Sequence, residues 1–338
     1  MDLKAILSGD RLALSRLLTQ IEKDSEQGRQ ALNELFPHTG KAHLVGVTGA
    51  PGTGKSSLTN QLAKHYRNPP DGPARSVAVV AVDPSSPFSG GAVLGDRIRM
   101  QDLAGDPGVF IRSMATRGSL GGLATATAGL VQGLDAAGYE IILIETVGAG
   151  QAEVEVAKLA HTTIVVEAPG LGDDVQAIKA GILEIADILV LNKADRPGVE
   201  AAERALRGML NLGHPIERVF NHHGRRAEIE VPHEESPTDK LWLPPLIRTV
   251  STEGQGVPEL AQAITEHRAF LETSGELQRR ERARLESEVH DLLQKAMMNR
   301  WRQDTSDERY QRTLEQIAAR KLSPRQAVAQ LLNGSAPQ

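Results

Sequence analysis

The segment GAPGTGKSS, residues 49–57, has the residue types and the spacing of a phosphate-binding loop. Its glycines allow backbone N–H groups to close around phosphate oxygens, and the helix expected after it adds the partial positive charge of a helix N-terminus. Lys55 is placed to reach the β- and γ-phosphates of a nucleotide, and the Ser56 hydroxyl is placed to bind Mg²⁺. The residues expected to contact the phosphates are Gly49, Ala50, Pro51, Gly52, Thr53, Gly54, Lys55, Ser56 and Ser57.

A second motif, NKAD at residues 192–195, follows the apolar run DILVL and can recognise a base. The Asp195 carboxylate can accept hydrogen bonds from N1–H and the 2-amino group of guanine, neither of which adenine offers. Adenine would leave that carboxylate buried and unpaired, at a cost of about 1–3 kcal/mol. Asn192 can pin the loop, and the Lys193 stem can cover the face of the ring. The motif therefore predicts GTP and GDP as ligands.

The segment TVSTEG, residues 249–254, follows the last predicted strand. Ser251 and Thr252 fit a loop that closes over guanine. The alternative is an ordinary turn, in which Ser, Thr and Gly are common.

The run EIILIET ends close to Glu145, and Gly148 follows three residues later. This spacing is the E-x-x-G form of a switch that more often reads D-x-x-G. The carboxylate can hold Mg²⁺ through a water molecule, and the Gly148 N–H can sense the γ-phosphate. Because glutamate is one methylene longer than aspartate, the strand can end slightly farther from the metal, which leaves room for further carboxylates.

Two aspartates can supply those further carboxylates. Asp83 ends the second predicted strand, and Asp96 follows a segment rich in Gly, Ser and Pro. Asp83 could instead cap a helix or stabilise a turn, and Asp96 could start a helix. Mg²⁺ prefers six oxygen ligands and usually keeps several waters. We therefore expect one or two residues of the following set to bind the ion directly and the rest through water: Ser56, Asp83, Asp96 and Glu145.

The elements that must position these residues alternate between strand and helix from residue 43 to about residue 272. The runs that read as strands are HLVGVTG, SVAVVAVDP, VFIRSM, EIILIET, TTIVVEA, DILVLNKAD and LIRTVS. Such alternation predicts an α/β fold with a mostly parallel sheet covered by helices on both faces, with ligands at the carboxyl ends of the strands. We expect a P-loop GTPase domain over 41–272, between helical extensions over 1–40 and 273–338.

Composition narrows the classes of function. Apolar residues make up 40% of the 338 residues and aromatic residues only 3%, so the core must consist of Val, Ile, Leu and Ala, as in parallel sheets. A net charge of -5 and a pI of about 6.1 provide no global basic field for nucleic acid or an anionic membrane. The absence of cysteine excludes disulfides and thiolate chemistry. With no long apolar run and no secretory signal, we expect a soluble cytoplasmic protein.

With these motifs, the sequence resembles the MeaB/ArgK-type GTPases, which are the methylmalonyl-CoA mutase-associated GTPases. The resemblance covers about residues 8–270 and rests on long segments such as VAVDPSSPFSGGAVLGDRIRM, ETVGAGQAEVEVA and APGLGDDVQAIKAGILEIADILVLNKAD. It implies Mg²⁺-dependent hydrolysis of GTP by a chaperone of an adenosylcobalamin-dependent acyl-CoA mutase, usually as a homodimer.

The resemblance also implies roles for particular residues. It assigns metal ligation to Ser56, Asp83, Asp96 and Glu145, and a partner-responsive loop to about 168–181 with Lys179 as its functional lysine. Together with the motifs, it indicates Lys55, Glu145 and Lys179 as the catalytic residues. The sequence departs from the family pattern at Ala152, near Lys158 and at Ala180. These departures affect the partner-responsive segment more than the nucleotide site.

The C-terminal region has apolar residues at helical spacing among charged ones. They either pack on the sheet domain or form a homodimer interface, which is the interpretation we prefer. They are Leu285, Val289, Leu292, Leu293, Ala296 and Met297.

Two other functions stay open on the residues alone. A metallochaperone-type GTPase for another metalloenzyme would need a Cys- or His-based metal site, and the adjacent histidine pair here is His222–His223. A P-loop small-molecule kinase would need an acceptor pocket with a positioned base, for which the segment TRGSLGGL, residues 116–123, is the available candidate.

Overall fold

A parallel sheet of seven strands organises the first of two compact units, residues 1–284. The computed structural model describes residues 2–84, 100–103, 105–116, 120–146, 152–170, 184–212 and 241–332. The strands are β1 His43–Thr48, β2 Val77–Pro84, β3 Val109–Thr116, β4 Ile141–Thr146, β5 Thr162–Glu167, β6 Ile188–Leu191 and β7 Leu246–Arg248. They lie in the order β3-β2-β4-β1-β5-β6-β7, and their pairings are parallel. The predicted α/β fold is therefore confirmed.

Helices cover both faces of this sheet. In the first unit they are α1 Leu3–Leu7, α2 Arg11–Glu22, α3 Glu26–Leu35, α4 Lys55–Arg67, α5 Leu120–Ala136, α6 Ala152–Leu159, α7 Val199–Leu212 and α8 Val257–Ser274. Successive strand residues point to opposite faces. Ile142 and Ile144 therefore share a core with α2, α3 and α5, whereas Ile141 and Leu143 share one with α4 and α8.

Helix α2 shows how the N-terminal helices attach to the sheet. Asp10 caps the helix by accepting hydrogen bonds from the backbone N–H groups of Leu12 and Ala13. The buried residues of α2 recur three and four positions apart, so they form one apolar face toward α5 and the sheet. They are Leu14, Leu17, Leu18 and Ile21.

Helix α9, Glu276–Asp304, begins in the first unit, where its residues 276–284 lie against the amino ends of β5 and β6. The Arg280 guanidinium donates to both carboxylate oxygens of Asp187 at 3.0 Å and to the His161 carbonyl at 2.6 Å. Asp187 precedes β6 and is completely buried, so Arg280 supplies the charge that offsets its burial. Glu281 pairs with the His161 imidazole.

Buried hydroxyl and imidazole groups continue these contacts to β1. Thr162 Oγ1 lies 2.8 Å from His43 Nε2 and 2.8 Å from His267 Nδ1, and His267 Nε2 lies 3.3 Å from Asp187 Oδ1. We refer to these residues together as the amino-end network: His43, His161, Thr162, Asp187, His267, Arg280 and Glu281.

Burial perturbs the titration of this network. It lowers the pKa of His43 well below the usual histidine value, and the neighbouring His161 lowers it further. Burial also lowers the pKa of His161, although Glu281 acts in the opposite direction. Burial alone would raise the pKa of Glu281, but hydrogen bonds from His161 and Arg284 outweigh burial and hold it at about 2. His43 in β1 and His161, which precedes β5, therefore both favour the neutral imidazole in the folded protein.

The second compact unit, residues 285–338, begins within α9 and contains α10 Asp307–Ala318 and α11 Pro324–Leu332. Trp301 packs edge-on against Tyr310, with 5.8 Å between ring centroids, and its indole N–H donates to the Leu331 carbonyl at 3.4 Å. Although α9 has 29 residues, no helix within the described ranges is long and apolar enough to cross a membrane. The predicted division into 1–40, 41–272 and 273–338 stays a prediction.

Candidate nucleotide site

The phosphate-binding loop connects the carboxyl end of β1 to α4, as the sequence predicts. Two glycines of this loop occupy positions that a residue with a side chain would not fit. Gly49 has φ +139° and Gly54 has φ +96°, both outside the range that side-chain-bearing residues favour. A Cβ added at Gly49 would overlap the Val166 carbonyl of β5, and one added at Gly54 would overlap the Asn192 side-chain amide. The loop is therefore pressed against the ends of the neighbouring strands.

Lys55 begins α4 and turns back into this loop. Its Nζ donates to the carbonyl oxygens of Gly49 at 2.7 Å and Ala50 at 3.0 Å. Burial lowers the pKa of Lys55, while the carboxyl groups of Glu145, Glu153 and Glu167 act in the opposite direction. The ammonium group thus lies inside the loop, where a phosphate oxygen could replace the loop carbonyls.

Two of the predicted metal ligands meet beside the loop. The Ser56 hydroxyl donates to Glu145 Oε1 at 2.5 Å, and both residues are buried. The pairing of Val47 with Glu145 places β4 directly beside β1, which explains the contact. A hydroxyl and a carboxylate provide the hard oxygen ligands that Mg²⁺ prefers, so this pair fits the predicted ion.

Of the other two predicted metal ligands, Asp83 has a described backbone position and Asp96 does not. Asp83 lies near the carboxyl end of β2, one residue beyond Val82, which pairs with Thr146 of β4. Its backbone is therefore at the same edge of the sheet as Glu145. Asp96 lies outside the described residues, as do Gly148 and Lys179.

Asn192, the first residue of the NKAD segment, forms hydrogen bonds to the phosphate loop and to the segment TVSTEG. Its amide nitrogen donates to the Thr53 carbonyl at 2.8 Å and lies 3.0 Å from Ser251 Oγ. Its amide oxygen accepts from the Thr249 hydroxyl at 3.0 Å and from the Ser251 backbone N–H at 3.1 Å. One buried side chain thereby ties the phosphate loop, the NKAD segment and the segment TVSTEG together.

The residues that follow Asn192 face the opening of the site. Lys193 has φ +56°, and its Nζ donates to the Gly52 carbonyl at 2.5 Å, so its stem crosses over the phosphate loop. Asp195 and Thr252 are exposed. A base that enters from solvent can therefore reach the Asp195 carboxylate.

Two carboxyl groups of this site were not predicted from the sequence: Glu153 on α6 and Glu167 at the end of β5. Glu153 is buried, and both interact electrostatically with Lys55. Burial raises the pKa of Glu167 to about 7; Lys55 opposes this shift and Glu153 adds to it. The available signal was the position of Glu167, because the carboxyl ends of all parallel strands meet at one edge of the sheet.

Comparison with known proteins agrees with this geometry. The family model described as methylmalonyl Co-A mutase-associated GTPase MeaB matches residues 14–306. The chain belongs to this family. A Pyrococcus abyssi relative named as a GTPase is 43% identical over 324 residues, which are 96% of this chain and 93% of the relative. The GTPase ArgK of Escherichia coli is 31% identical over 334 residues, which are 97% and 94% of the two chains.

A solved structure supports the same assignment at the level of the whole chain. The crystal structure of a LAO/AO transport system kinase superposes with a TM-score of 0.68 at 25% identity, covering 98% of this chain and 95% of that one. This MeaB-family protein is therefore a P-loop GTPase that binds guanine nucleotide and hydrolyses GTP, as predicted.

Proposed function

We propose that this MeaB-family GTPase is a chaperone and regulator of an adenosylcobalamin-dependent acyl-CoA mutase, such as methylmalonyl-CoA mutase, and that it assists cofactor loading or protects the bound cofactor. The observation that carries this proposal is the family match over residues 14–306, which includes the whole sheet and α9 as well as the nucleotide motifs. The match therefore extends to the parts of the chain that a partner protein could contact.

The nucleotide's phosphates would bind in the loop between β1 and α4. We propose that phosphate oxygens replace the Gly49 and Ala50 carbonyls as acceptors for Lys55 Nζ. That exchange moves a positive charge from a backbone carbonyl site to an anion, which stabilises the bound triphosphate.

Mg²⁺ would be held by Ser56 and Glu145, with Asp83 and Asp96 as further ligands. When bound there, the ion would supply positive charge that offsets the negative charge that develops on the phosphates during hydrolysis. The chain's own part is to hold the Ser56 hydroxyl and the Glu145 carboxylate together at the edge of the sheet, as their 2.5 Å contact does.

Guanine would bind against Lys193, with its N1–H and 2-amino group on Asp195. Asn192 is proposed as the positioning residue, since its four hydrogen bonds fix the base segment relative to the phosphate loop. Ser251 and Thr252 would close the site from the opposite side.

Assembly is the remaining part of the proposal. The residues predicted to form a homodimer interface include an exposed apolar stripe along α9, made of Val289, Leu292, Leu293 and Met297. Exposure of four such residues at helical spacing supports a protein contact at this surface. Light scattering of a chain ending near residue 284, the boundary of the first unit, tests this: a folded monomer supports the proposal, and an unchanged dimer contradicts it.

The functional test is single-turnover GTP hydrolysis with and without methylmalonyl-CoA mutase. We expect slow hydrolysis by the GTPase alone and clear stimulation by the mutase. Lys179→Ala should lower the stimulated rate and leave nucleotide affinity near wild type, if Lys179 offsets charge on the phosphates as an arginine finger does. The matched control is Lys64→Ala, which removes a lysine of α4 that pairs with Asp102.

Equal stimulation of wild type and Lys179→Ala would remove Lys179 from the mechanism. No stimulation by any acyl-CoA mutase would contradict the chaperone proposal. Phosphate transfer to a small-molecule acceptor would favour the kinase alternative instead.

A further inference from the structure

Three polar atoms on α4 and β3 are buried without a hydrogen-bond partner among the described residues. They are Thr59 Oγ1, Asn60 Oδ1 and Ser113 Oγ. Thr59 is completely buried, and Asn60 is buried as well. Folded proteins seldom leave buried polar atoms unsatisfied, and an ordered water molecule commonly supplies the missing hydrogen bonds. The position of these three atoms in the fold shows what such water could serve.

The pairing of the strands places Ser113 in line with Glu145. Ala81 of β2 pairs with Ser113 on one side and with Glu145 on the other. The residues two positions earlier on these three strands all pack in the core that α4 covers, and they are Ile111, Val79 and Leu143. Because strand side chains alternate between the two faces of a sheet, Ser113, Ala81 and Glu145 all point toward α4.

Ala81 leaves room between its two polar neighbours. Adjacent strands lie about 4.8 Å apart, so the backbones of Ser113 and Glu145 are about 10 Å apart. The side chain between them is a single methyl group, since Ala81 occupies the middle strand. Hydrogen bonds to water oxygens span about 2.8 Å, so one or two water molecules can connect the Ser113 hydroxyl to the Glu145 carboxylate.

Helix α4 covers this space from above. Its Ser56 hydroxyl donates to Glu145 Oε1 at 2.5 Å. Thr59 and Asn60 follow Ser56 by three and four positions, which places all three residues on the same side of the helix. This side faces the sheet, because Thr59 is completely buried there. The unsatisfied oxygens of α4 therefore lie on the same side of the helix as the contact between Ser56 and Glu145.

We propose that Ser113 and Thr59 are positioning residues of the metal site: their hydroxyl groups hold ordered water over Ala81, and this water hydrogen-bonds to the ligands of Mg²⁺ at Ser56 and Glu145. The inference rests on the metal site proposed above. Mg²⁺ usually keeps several waters, and groups that bind its ligands or its waters contribute to its affinity. Loss of either hydroxyl should therefore weaken Mg²⁺ binding, although no group that holds the phosphates or the base is changed.

The test compares Ser113→Val with Ser113→Thr, because valine and threonine have the same shape and differ in the hydroxyl group. Release of a fluorescent GDP analogue from the full-length protein is measured over a range of Mg²⁺ concentrations. Ser113→Val should raise the Mg²⁺ concentration that gives half-maximal slowing of release by about tenfold, and Ser113→Thr should change it by less than about twofold. Release in excess EDTA should be the same in both variants and in the wild type.

Thr127→Val is the matched control. Thr127 is a buried threonine of α5, and its hydroxyl lies 3.3 Å from Met114 Sδ, on the opposite face of β3. This variant loses a buried hydroxyl far from the proposed water and should keep the wild-type Mg²⁺ dependence. Thr59→Val should raise the Mg²⁺ requirement as Ser113→Val does, and it provides the test if Ser113→Val does not fold.

Three results would overturn the proposal. One is an unchanged Mg²⁺ dependence in Ser113→Val and Thr59→Val, which is expected of two hydroxyl groups in a dry core. Another is an equal rise of the Mg²⁺ requirement in Thr127→Val. The third is a crystal structure of the complex with GDP and Mg²⁺ in which no ordered water lies within hydrogen-bonding distance of Ser113 Oγ or Thr59 Oγ1. If GDP release from the wild type is independent of Mg²⁺, the metal site itself is wrong and this inference fails with it.

Discussion

The two ends of β1, β5 and β6 use buried polar residues in opposite ways. At the amino ends, side chains bind one another: Arg280 pairs with Asp187, and Thr162 joins His43 to His267. At the carboxyl ends, side chains mostly bind loop backbone, as Lys55 does with the Gly49 and Ala50 carbonyls.

This difference separates a structural polar cluster from a binding site. Groups that saturate one another gain nothing from a ligand, so the amino-end network fixes the strands and the start of α9. Groups that bind backbone carbonyls can exchange them for a ligand's oxygens, which is what a phosphate site requires. The amino ends of these strands are therefore stabilised by side-chain contacts, whereas their carboxyl ends can bind a phosphate ligand.

The largest expected effect on stability comes from removing the Arg280–Asp187 ion pair of the amino-end network. Arg280→Met should lower the free energy of unfolding by about 3–5 kcal/mol, because it leaves the Asp187 carboxylate buried without its cation. Urea unfolding measures this change. Arg279→Met is the control, since Arg279 is exposed and should change stability by less than about 0.5 kcal/mol. Equal losses in the two variants would show that the buried pair contributes little.

A smaller effect is expected when the carboxyl end of β4 is altered. Glu145→Gln should reduce Mg²⁺-dependent GTP hydrolysis about 10- to 100-fold and change GDP affinity much less, because the carboxylate helps to hold the ion. Glu140→Gln is the control at the amino end of the same strand, where Glu140 accepts from the Ser76 backbone N–H at 2.9 Å. Phosphate-release rates over a range of Mg²⁺ concentrations distinguish the two. A similar loss in both variants would contradict the metal assignment.

Base selectivity provides a third test. Asp195→Asn should weaken GDP binding by about 1–3 kcal/mol and improve binding of xanthosine diphosphate, because an amide donates where the carboxylate accepted. Competition binding of the two nucleotides measures the shift. Unchanged selectivity would mean that another group recognises the base.

The smallest effect is a pH dependence of stability that belongs to the amino end. The pKa values of His43 and His161 are lowered in the folded state, so below about pH 6.5 the unfolded chain binds more protons than the folded one. Stability should therefore fall as the pH drops through that range, by about 1 kcal/mol between pH 7.5 and 5.5. The pKa of Glu281, held at about 2, adds a further loss as the pH falls below about 4.5. Urea unfolding across pH 4 to 8 measures both, and constant stability from pH 7.5 to 5.5 would contradict the histidine assignment.

The carboxyl end could be predicted from sequence because its signals are local. The phosphate loop and the NKAD segment are short, contiguous and preceded by apolar runs that the structure confirms as β1 and β6. The contact of Ser56 with Glu145 depends on the strand order, in which β4 lies beside β1, and the sequence predicts only that both residues are at the same edge.

The amino-end network could not be predicted in the same way. His161 and Glu281 are 120 residues apart, and nothing local to either residue marks the contact. Asp187 precedes a strand, where it resembles a turn residue until Arg280 is brought to it by α9. Glu167 was missed for a related reason, since its perturbation comes from burial and from charges on two other elements.

Hydrogen–deuterium exchange with and without GDP and Mg²⁺ tests the difference between the two ends most directly. We predict slower exchange of backbone amides on nucleotide binding in residues 49–57, 192–195 and 249–254. The amides of residues 43–45 and 276–284, at the amino end, should exchange at the same rate in both states. Slower amide exchange that is confined to the amino end, or that is equal at both ends, would contradict the assignment of nucleotide binding to the carboxyl ends of the strands.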